Sequence, residues 1–359
     1  MSRFFTEKYN ELISNITEEK KQTKKTIKLD TNESPYPASQ FVYRSIDQFE
    51  IDNLRMYSDP SANKLVSAIA ENFGVESNKV AVGNGSDELL SFVFMAFQNK
   101  ERKFYFPKIS YGFYPVFAAI ANANSVEIPM GEALEIVPER FYSLDGTIVI
   151  ANPNTPTGLT LSIEQIEQIV SSNADNLVVI DEAYVDFGAE SCSSLVDKYD
   201  NLLVIQTFSK SRNLAGARIG FAIGSPDVIS DLNKIKLSFN RHNINSLSIL
   251  AGTSAMKDKD YFKKCTNDIK KTRVRFKKEM QELGFEILDS KANFLFVRHP
   301  ELRGEQYHKS LLENNIIVKH YPSDELKEYV RISIGLPDSM DTLIKVTKKL
   351  LGIEESRGE

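Results

Sequence analysis

The chain has no tryptophan, two cysteines, four histidines and no apolar run near membrane-spanning length. Cys192 and Cys265 are too few for a disulfide framework and read as small, partly buried side chains. The histidines and cysteines do not fall at metal-ligand spacing, so no metal site is predicted. No stretch approaches the ~20 apolar residues of a membrane helix, so no membrane association is expected. Excess charge of one sign is also missing: 44 basic residues face 49 acidic ones, and a net charge of −5 argues against nucleic acid as a partner. Met1–Glu7 lacks the apolar core of a signal peptide, which predicts a cytoplasmic location. No Gly-x-Gly-x-x-Gly opens a helix after an early strand, which disfavours a Rossmann nucleotide site. What is there is ordinary globular composition, 42% hydrophobic and 26% charged, over 359 residues. That length predicts two domains, or one large domain with a smaller companion.

From about residue 60 to 225, short apolar runs alternate with longer amphipathic stretches. Val80–Val82, Phe104–Phe106, Ile148–Ile150, Val178–Ile180 and Leu203–Ile205 are apolar at consecutive positions, as in strands buried on both faces of a mostly parallel sheet. Between two of them, Ser162 precedes a helically spaced segment to Val170 and supplies a cap signal. The prediction is an α/β architecture, a mostly parallel sheet flanked by helices. After about residue 230 the pattern changes. Phe262, Cys265, Ile269, Phe276, Met280 and Leu283 form one stripe on a long helix, and Gly284 reads as its stop. Strand-like Asn293–Val297 and Tyr329–Ile334 follow, predicting a smaller α+β domain. The expected division is an N-terminal arm over 1–45, a large domain over 46–250 and a small domain over 251–359. Lys20, Lys21, Lys24 and Lys25 are expected on a solvated helix face.

Two strand ends carry the chemistry. Lys210 follows the apolar run Leu202–Ile205 within Thr207-Phe208-Ser209-Lys210, and Asp181 ends Leu177–Ile180. Such a pair suits the two ends of a pyridine aldehyde: lysine forms an imine, and the carboxylate keeps the ring nitrogen protonated. Pyridoxal phosphate is the cofactor this pair predicts. Gly83-Asn84-Gly85-Ser86-Asp87 leads from a strand into a helix, either as a plain turn with a cap or as an anion cradle. Ser209 and Arg218 could add a hydroxyl and a guanidinium to the same anion, though Arg218 would equally serve a structural ion pair. Asn152-Pro153-Asn154-Thr155-Pro156-Thr157-Gly158 is a proline-stiffened loop at a strand end, where open α/β sheets also bind ligands. Asp181 alone could be a helix cap, but Tyr184 follows at a spacing that turns a phenol toward the same point.

In that order, these segments resemble the fold-type I aminotransferases, and more narrowly the histidinol-phosphate aminotransferase family, from about Leu29 to Gly335. Asp30–Tyr36, Val179–Phe187 and the Lys210 segment carry most of the likeness. The resemblance implies a Schiff-base and proton-shuttling Lys210, Asp181 on the pyridinium nitrogen, and Tyr184 on the ring's O3′. It implies Tyr111 stacked on the ring, with Gly85, Ser86, Asp87, Ser209 and Arg218 around the phosphate. Tyr57 would reach that phosphate from a neighbouring subunit, which implies a homodimer. Arg331 would receive the substrate's anionic group, and Asn32 would line the substrate site. The implied reaction is transamination of histidinol phosphate with 2-oxoglutarate, glutamate being the other member of that pair.

Three departures from the family pattern stand out. Thr155 stands where many relatives have the asparagine that contacts O3′, so Asn154 is expected to take over that contact. Lys319 stands where many relatives have a second substrate arginine; it keeps the charge but loses the planar grip on phosphate. Arg241 and His242 replace a small and an aromatic residue; they either supplement phosphate binding or mark a changed surface loop. An aromatic amino acid aminotransferase, a threonine-phosphate-type decarboxylase and a non-catalytic binding protein on the same scaffold are the competing expectations.

Overall fold

The computed structural model describes residues 26–99 and 101–353, together with Tyr9 and Leu12. The lysine cluster at 20–25 lies outside the described residues. Among those described, no helix is long and apolar enough to cross a membrane, and no group of three or more side chains is arranged to hold a metal.

The first strand, β1 (Ile27–Leu29), belongs to a five-stranded sheet completed late in the chain. Before that, the chain builds a seven-stranded sheet. Its strands are β2 (Val80–Gly83), β3 (Lys103–Pro107), β4 (Ser125–Ile128), β5 (Gly146–Ala151), β6 (Val178–Asp181), β7 (Leu202–Thr207) and β8 (Gly220–Gly224). Their spatial order is β2-β8-β7-β6-β5-β3-β4, and only β8 runs against its neighbours. The five apolar runs predicted as strands all lie within this sheet. Their side chains alternate between two cores: Val178, Ile180, Ile148 and Ile150 pack on one side, Val179, Val149, Leu203 and Ile205 on the other. Helices cover both faces, which is why these strands tolerate no polar residue until their ends. The helix Ile163–Ser171 opens with the predicted cap: Ser162 Oγ accepts from Gln165 N at 3.3 Å, and Gln165 Oε1 accepts from Ser162 N at 2.9 Å.

The second sheet adds β9 (Glu286–Ile287), β10 (Phe294–Arg298), β11 (Ile316–His320) and β12 (Val330–Ser333), in the order β1-β11-β12-β10-β9. The predicted long helix spans Lys259–Glu282, and its Ile269, Phe276 and Met280 enter the core of this sheet. Gly284 follows it at φ +88°, the left-handed conformation that ends the helix. Contacts between the sheets converge near the strand ends. Lys291 N donates to Gly158 O at 2.8 Å, and Arg273 Nη1 donates to Phe187 O at 2.9 Å.

Gly220 sits at the junction between the glycine turn and the Lys210 strand. In β8 it pairs with Gly83 on one side and with Thr207 on the other, which sets those two segments close together. A Cβ there would overlap the backbone of Gly85 and Ser86, which cannot swing aside as a side chain would. Gly220→Ala is therefore expected to destabilise the protein by ~1–3 kcal/mol through overpacking and to displace the 83–86 turn. Urea denaturation measures the first effect, and weakened phosphate binding to the cofactor-free protein the second.

Candidate active site

The carboxyl ends of β5, β6 and β7 open into a cavity of about 340 Å³. This is the edge at which parallel sheets present ligands. Ser86, Asp87, Tyr111, Asp181, Tyr184, Ser209, Lys210 and Arg218, drawn from five separate segments, all line it. Most of the residues expected at a cofactor site thus meet at one place.

Asp181 forms the floor. It is 5% exposed, and no cation pairs with it among the described residues. Its Oδ2 accepts from Tyr114 Oη at 2.9 Å and its Oδ1 from Ala183 N at 3.2 Å. Burial pushes its pKa up to about 6, against the lowering effect of those two hydrogen bonds. A buried carboxylate with neutral donors alone is an anion awaiting a cation, which suits a protonated ring nitrogen. Lys210 stands at the end of the next strand, with Nζ donating to Thr31 O at 2.7 Å and lying 5.9 Å from the Tyr184 ring centroid. Among the described residues no carboxylate forms an ion pair with it; Glu33, which also lines the cavity, interacts with its charge at longer range. Tyr184 receives Asn32 Nδ2 on its hydroxyl at 3.1 Å, leaving its own proton to be donated.

The opposite end of the cavity has donors without acceptors. The helix Ser86–Phe97 begins after Gly85 with no side-chain cap, so its first N–H groups stay available. Gly85 adopts φ +83°, and a side chain on it would collide with the Arg218 guanidinium. Arg218 Nη2 lies 3.1 Å from Asp87 Oδ2, and Tyr111 Oη donates to Asp87 Oδ1 at 2.7 Å. Asp87 thus spends its carboxylate on orienting Tyr111 and Arg218 and offers an anion only its backbone N–H. Ser209 lies within reach of Thr207 Oγ1 at 3.0 Å, which fixes its hydroxyl at the cavity wall. Uncapped amides, two hydroxyls and a guanidinium at one end, with an unpaired carboxylate at the other, fit pyridoxal phosphate.

Arg331 approaches from β12. Its Nη1 donates to Thr155 Oγ1 at 2.9 Å and its Nη2 to Asp30 O at 2.7 Å, while its buried Nε has no partner among the described residues. It has no carboxylate partner among them either, so its charge is free for an incoming anion. Lys319 lies directly opposite it across the β11–β12 pair and so on the same face, but it is exposed and does not line the cavity. Asn32 is buried just behind the cavity at φ +56°.

One expectation, that for Asn154, does not match the placement found, and of the two readings left open for Arg241 and His242 the surface-loop one agrees with it. Asn154 does not line the cavity: its Oδ1 accepts from Ser110 and its Nδ2 donates to Ile109 O and Thr157, so the loop itself consumes the amide. Thr155 takes the cavity position instead. Neither Arg241 nor His242 reaches this cavity; the His242 ring lies against Tyr57, which is 86% exposed and also outside it. Sequence reasoning missed Tyr114, Thr31, Glu33 and Thr207. Each sits inside a segment singled out for another residue, but nothing in the sequence says which of two neighbours faces inward.

The burial of Asp181 has a consequence for stability. Its pKa is raised on folding, so its contribution is fully present below pH ~4 and is lost as pH rises to about 6. In the cofactor-free protein above pH 7, Asp181→Asn is expected to raise stability by up to ~3 kcal/mol and to remove that pH dependence. Urea titrations of the apo-protein between pH 4 and 8 check this; a destabilised Asp181→Asn apo-protein at pH 8 would contradict it.

Comparison with known proteins adds three findings. Residues 24–346 match the family Aminotransferase class I and II. The histidinol-phosphate aminotransferase of Brachyspira hyodysenteriae is 45% identical over 352 residues, covering 98% of this chain and 99% of that protein. Among solved structures, the histidinol-phosphate aminotransferase of Sinorhizobium meliloti in complex with pyridoxal-5'-phosphate superposes with TM-score 0.80 at 23% identity, covering 90% of this chain and 91% of that one. The L-threonine-O-3-phosphate decarboxylase of Porphyromonas gingivalis does so with TM-score 0.78 at 21% identity, covering 91% and 99%. Those two structural likenesses speak for the fold; the match along the sequence speaks for the family. The chain belongs to the class I and II aminotransferases and, within them, to the histidinol-phosphate aminotransferase family.

Proposed function

We propose that the protein catalyses transamination of histidinol phosphate with 2-oxoglutarate, yielding imidazole acetol phosphate and glutamate in histidine biosynthesis, with pyridoxal phosphate as cofactor. The observation that carries the substrate assignment is the 45% identity over nearly the full length of both chains. The unpaired Asp181 opposite an uncapped helix start supports the cofactor. A cytoplasmic location accords with this biosynthetic role.

Bound pyridoxal phosphate supplies an aldehyde that condenses with amines and a protonated ring that draws electrons from the substrate's Cα. The residues supply the rest. Asp181 holds the proton on the ring nitrogen. Lys210 Nζ would anchor the cofactor at its aldehyde carbon and, once the substrate amine has taken its place, would take the proton from Cα and return it to that same carbon. Tyr184 donates its phenolic proton toward the ring oxygen, steadied by Asn32. Tyr111 covers the ring face, while Gly85, Ser86, Asp87, Ser209 and Arg218 hold the phosphate. Arg331 receives the anionic end of either substrate, with Lys319 adding positive charge on the same face. In this reading residues 46–250 carry the cofactor, and residues 251–359 form the smaller domain, whose sheet β1 joins.

The active unit in this reading is a homodimer in which Tyr57 serves the neighbouring copy. Tyr57 ends a stretch in which Phe41, Tyr43, Phe49, Leu54 and Met56 are all substantially exposed, apolar side chains that a partner copy would cover.

Lys210→Ala should abolish transamination and leave the cofactor removable by dialysis after borohydride treatment; residual turnover or a reducible link at another lysine would overturn the assignment. In a panel of histidinol phosphate, phenylalanine, tyrosine and threonine phosphate, each with 2-oxoglutarate, histidinol phosphate should show the highest kcat/KM. Arg331→Gln should raise its KM by about 10- to 100-fold, the worth of a charge-assisted hydrogen bond. Carbon dioxide release from threonine phosphate without a keto acid would instead mark a decarboxylase.

A further inference from the structure

We propose that His242 is the positioning residue for Tyr57, and that it is anchored to the phosphate cradle of its own subunit. This rests on the reading that Tyr57 reaches the cofactor phosphate of the partner copy. A tyrosine 86% exposed has nothing on its own backbone to hold its ring in one direction. The His242 ring supplies that hold, with centroids 4.6 Å apart and planes 19° from parallel. His242 is itself fixed, because Nδ1 lies 2.8 Å from Ser58 O; a carbonyl only accepts, so Nδ1 carries the proton. Ser58 Oγ donates to Ile244 O at 2.6 Å, so segments 57–58 and 242–244 are held together at two points.

The anchor continues inward from His242. Asn243 Nδ2 donates to Glu88 Oε2 at 2.5 Å, and that oxygen also accepts Asn84 N at 2.6 Å. Asn84 Nδ2 returns a hydrogen bond to Asn243 O at 3.0 Å. Asn84 and Glu88 flank Gly85, Ser86 and Asp87, the turn that cradles phosphate. An unbroken set of contacts therefore runs from the cradle of one site to the tyrosine offered to the other. His242 touches no part of its own cavity, so it acts through Tyr57.

The test is the dissociation constant of pyridoxal phosphate from the intact protein, with thermal stability and sedimentation recorded alongside. His242→Ala should weaken cofactor binding by about two- to tenfold, the worth of one aromatic contact, with the melting temperature of the cofactor-free protein and the assembly unchanged. His242→Phe, which restores the stacked ring without the nitrogens, should recover most of the loss. In a Tyr57→Phe background, His242→Ala should add nothing, because no hydroxyl remains to be positioned. Losses that multiply in the double variant, or a Phe variant as weak as Ala, would overturn the proposal, the second by showing that the stacked ring contributes nothing. Wild-type affinity in Tyr57→Phe alone would overturn the trans-subunit reading beneath it, and that result is read independently of His242.

Discussion

A carboxylate buried without a cation is the constraint around which the site is arranged. Asp181 lies where β6 ends, with helices covering both faces of the sheet, and its only partners among the described residues are a tyrosine hydroxyl and a backbone amide. Those donors lower the cost of burial without cancelling it, since its pKa still stands at about 6. Partnering the carboxylate with arginine or lysine would remove that cost and also remove the site's hold on a ring nitrogen. The fold therefore tolerates an instability in the empty protein that a cationic ring relieves, and binding of the cofactor and stabilisation of the fold become the same event.

The cations of the site follow a related rule. Lys210 rests on Thr31 O, and Arg331 on Thr155 Oγ1 and Asp30 O, neutral acceptors in each case. A carbonyl or hydroxyl orients a guanidinium without neutralising it, so at Arg331 an incoming anion competes with dipoles and not with a full charge, whereas Lys210 also has Glu33 within electrostatic reach. Arg218 is the exception, paired with Asp87 at 3.1 Å. Both side chains of that pair are nearly half exposed, where solvent weakens the attraction and leaves the guanidinium able to turn toward a phosphate.

The sheet was legible in the sequence wherever both faces are buried, because an apolar run there has no competing explanation. Leu203–Ile205 and Val178–Ile180 are of this kind, and Asp181 and Ser209–Lys210 were located because each interrupts or follows such a run. β8 was not legible: Gly220 and Gly224 bound a short segment, and its antiparallel entry between β2 and β7 is a matter of tertiary pairing. The placement of Asn154 was hidden for a similar reason. Spacing along the 152–158 loop gives no account of which residue the loop spends on itself, and Asn154 is spent on Ser110, Ile109 and Thr157. Tyr57 and His242 are separated widely in sequence, so no local pattern announces their stacking.

The second sheet is tied to the chemistry through one residue. Asn32, held at positive φ, donates to the Tyr184 hydroxyl with Nδ2 and accepts from Ser333 Oγ at 2.8 Å with Oδ1. Ser333 lies two positions beyond Arg331 on β12, so by strand periodicity the two project from the same face. One short strand, paired along its whole length with β10, thus presents both the guanidinium proposed to meet the substrate's anionic end and the hydroxyl that sets Asn32. Any shift of β12 on taking up an anion is passed to Tyr184 through two hydrogen bonds, with no loop between to absorb it. Occupancy of the anion site and the orientation of the phenol facing the cofactor are therefore not independent, and a substrate lacking the anion would leave Tyr184 less well placed as well as being bound less tightly.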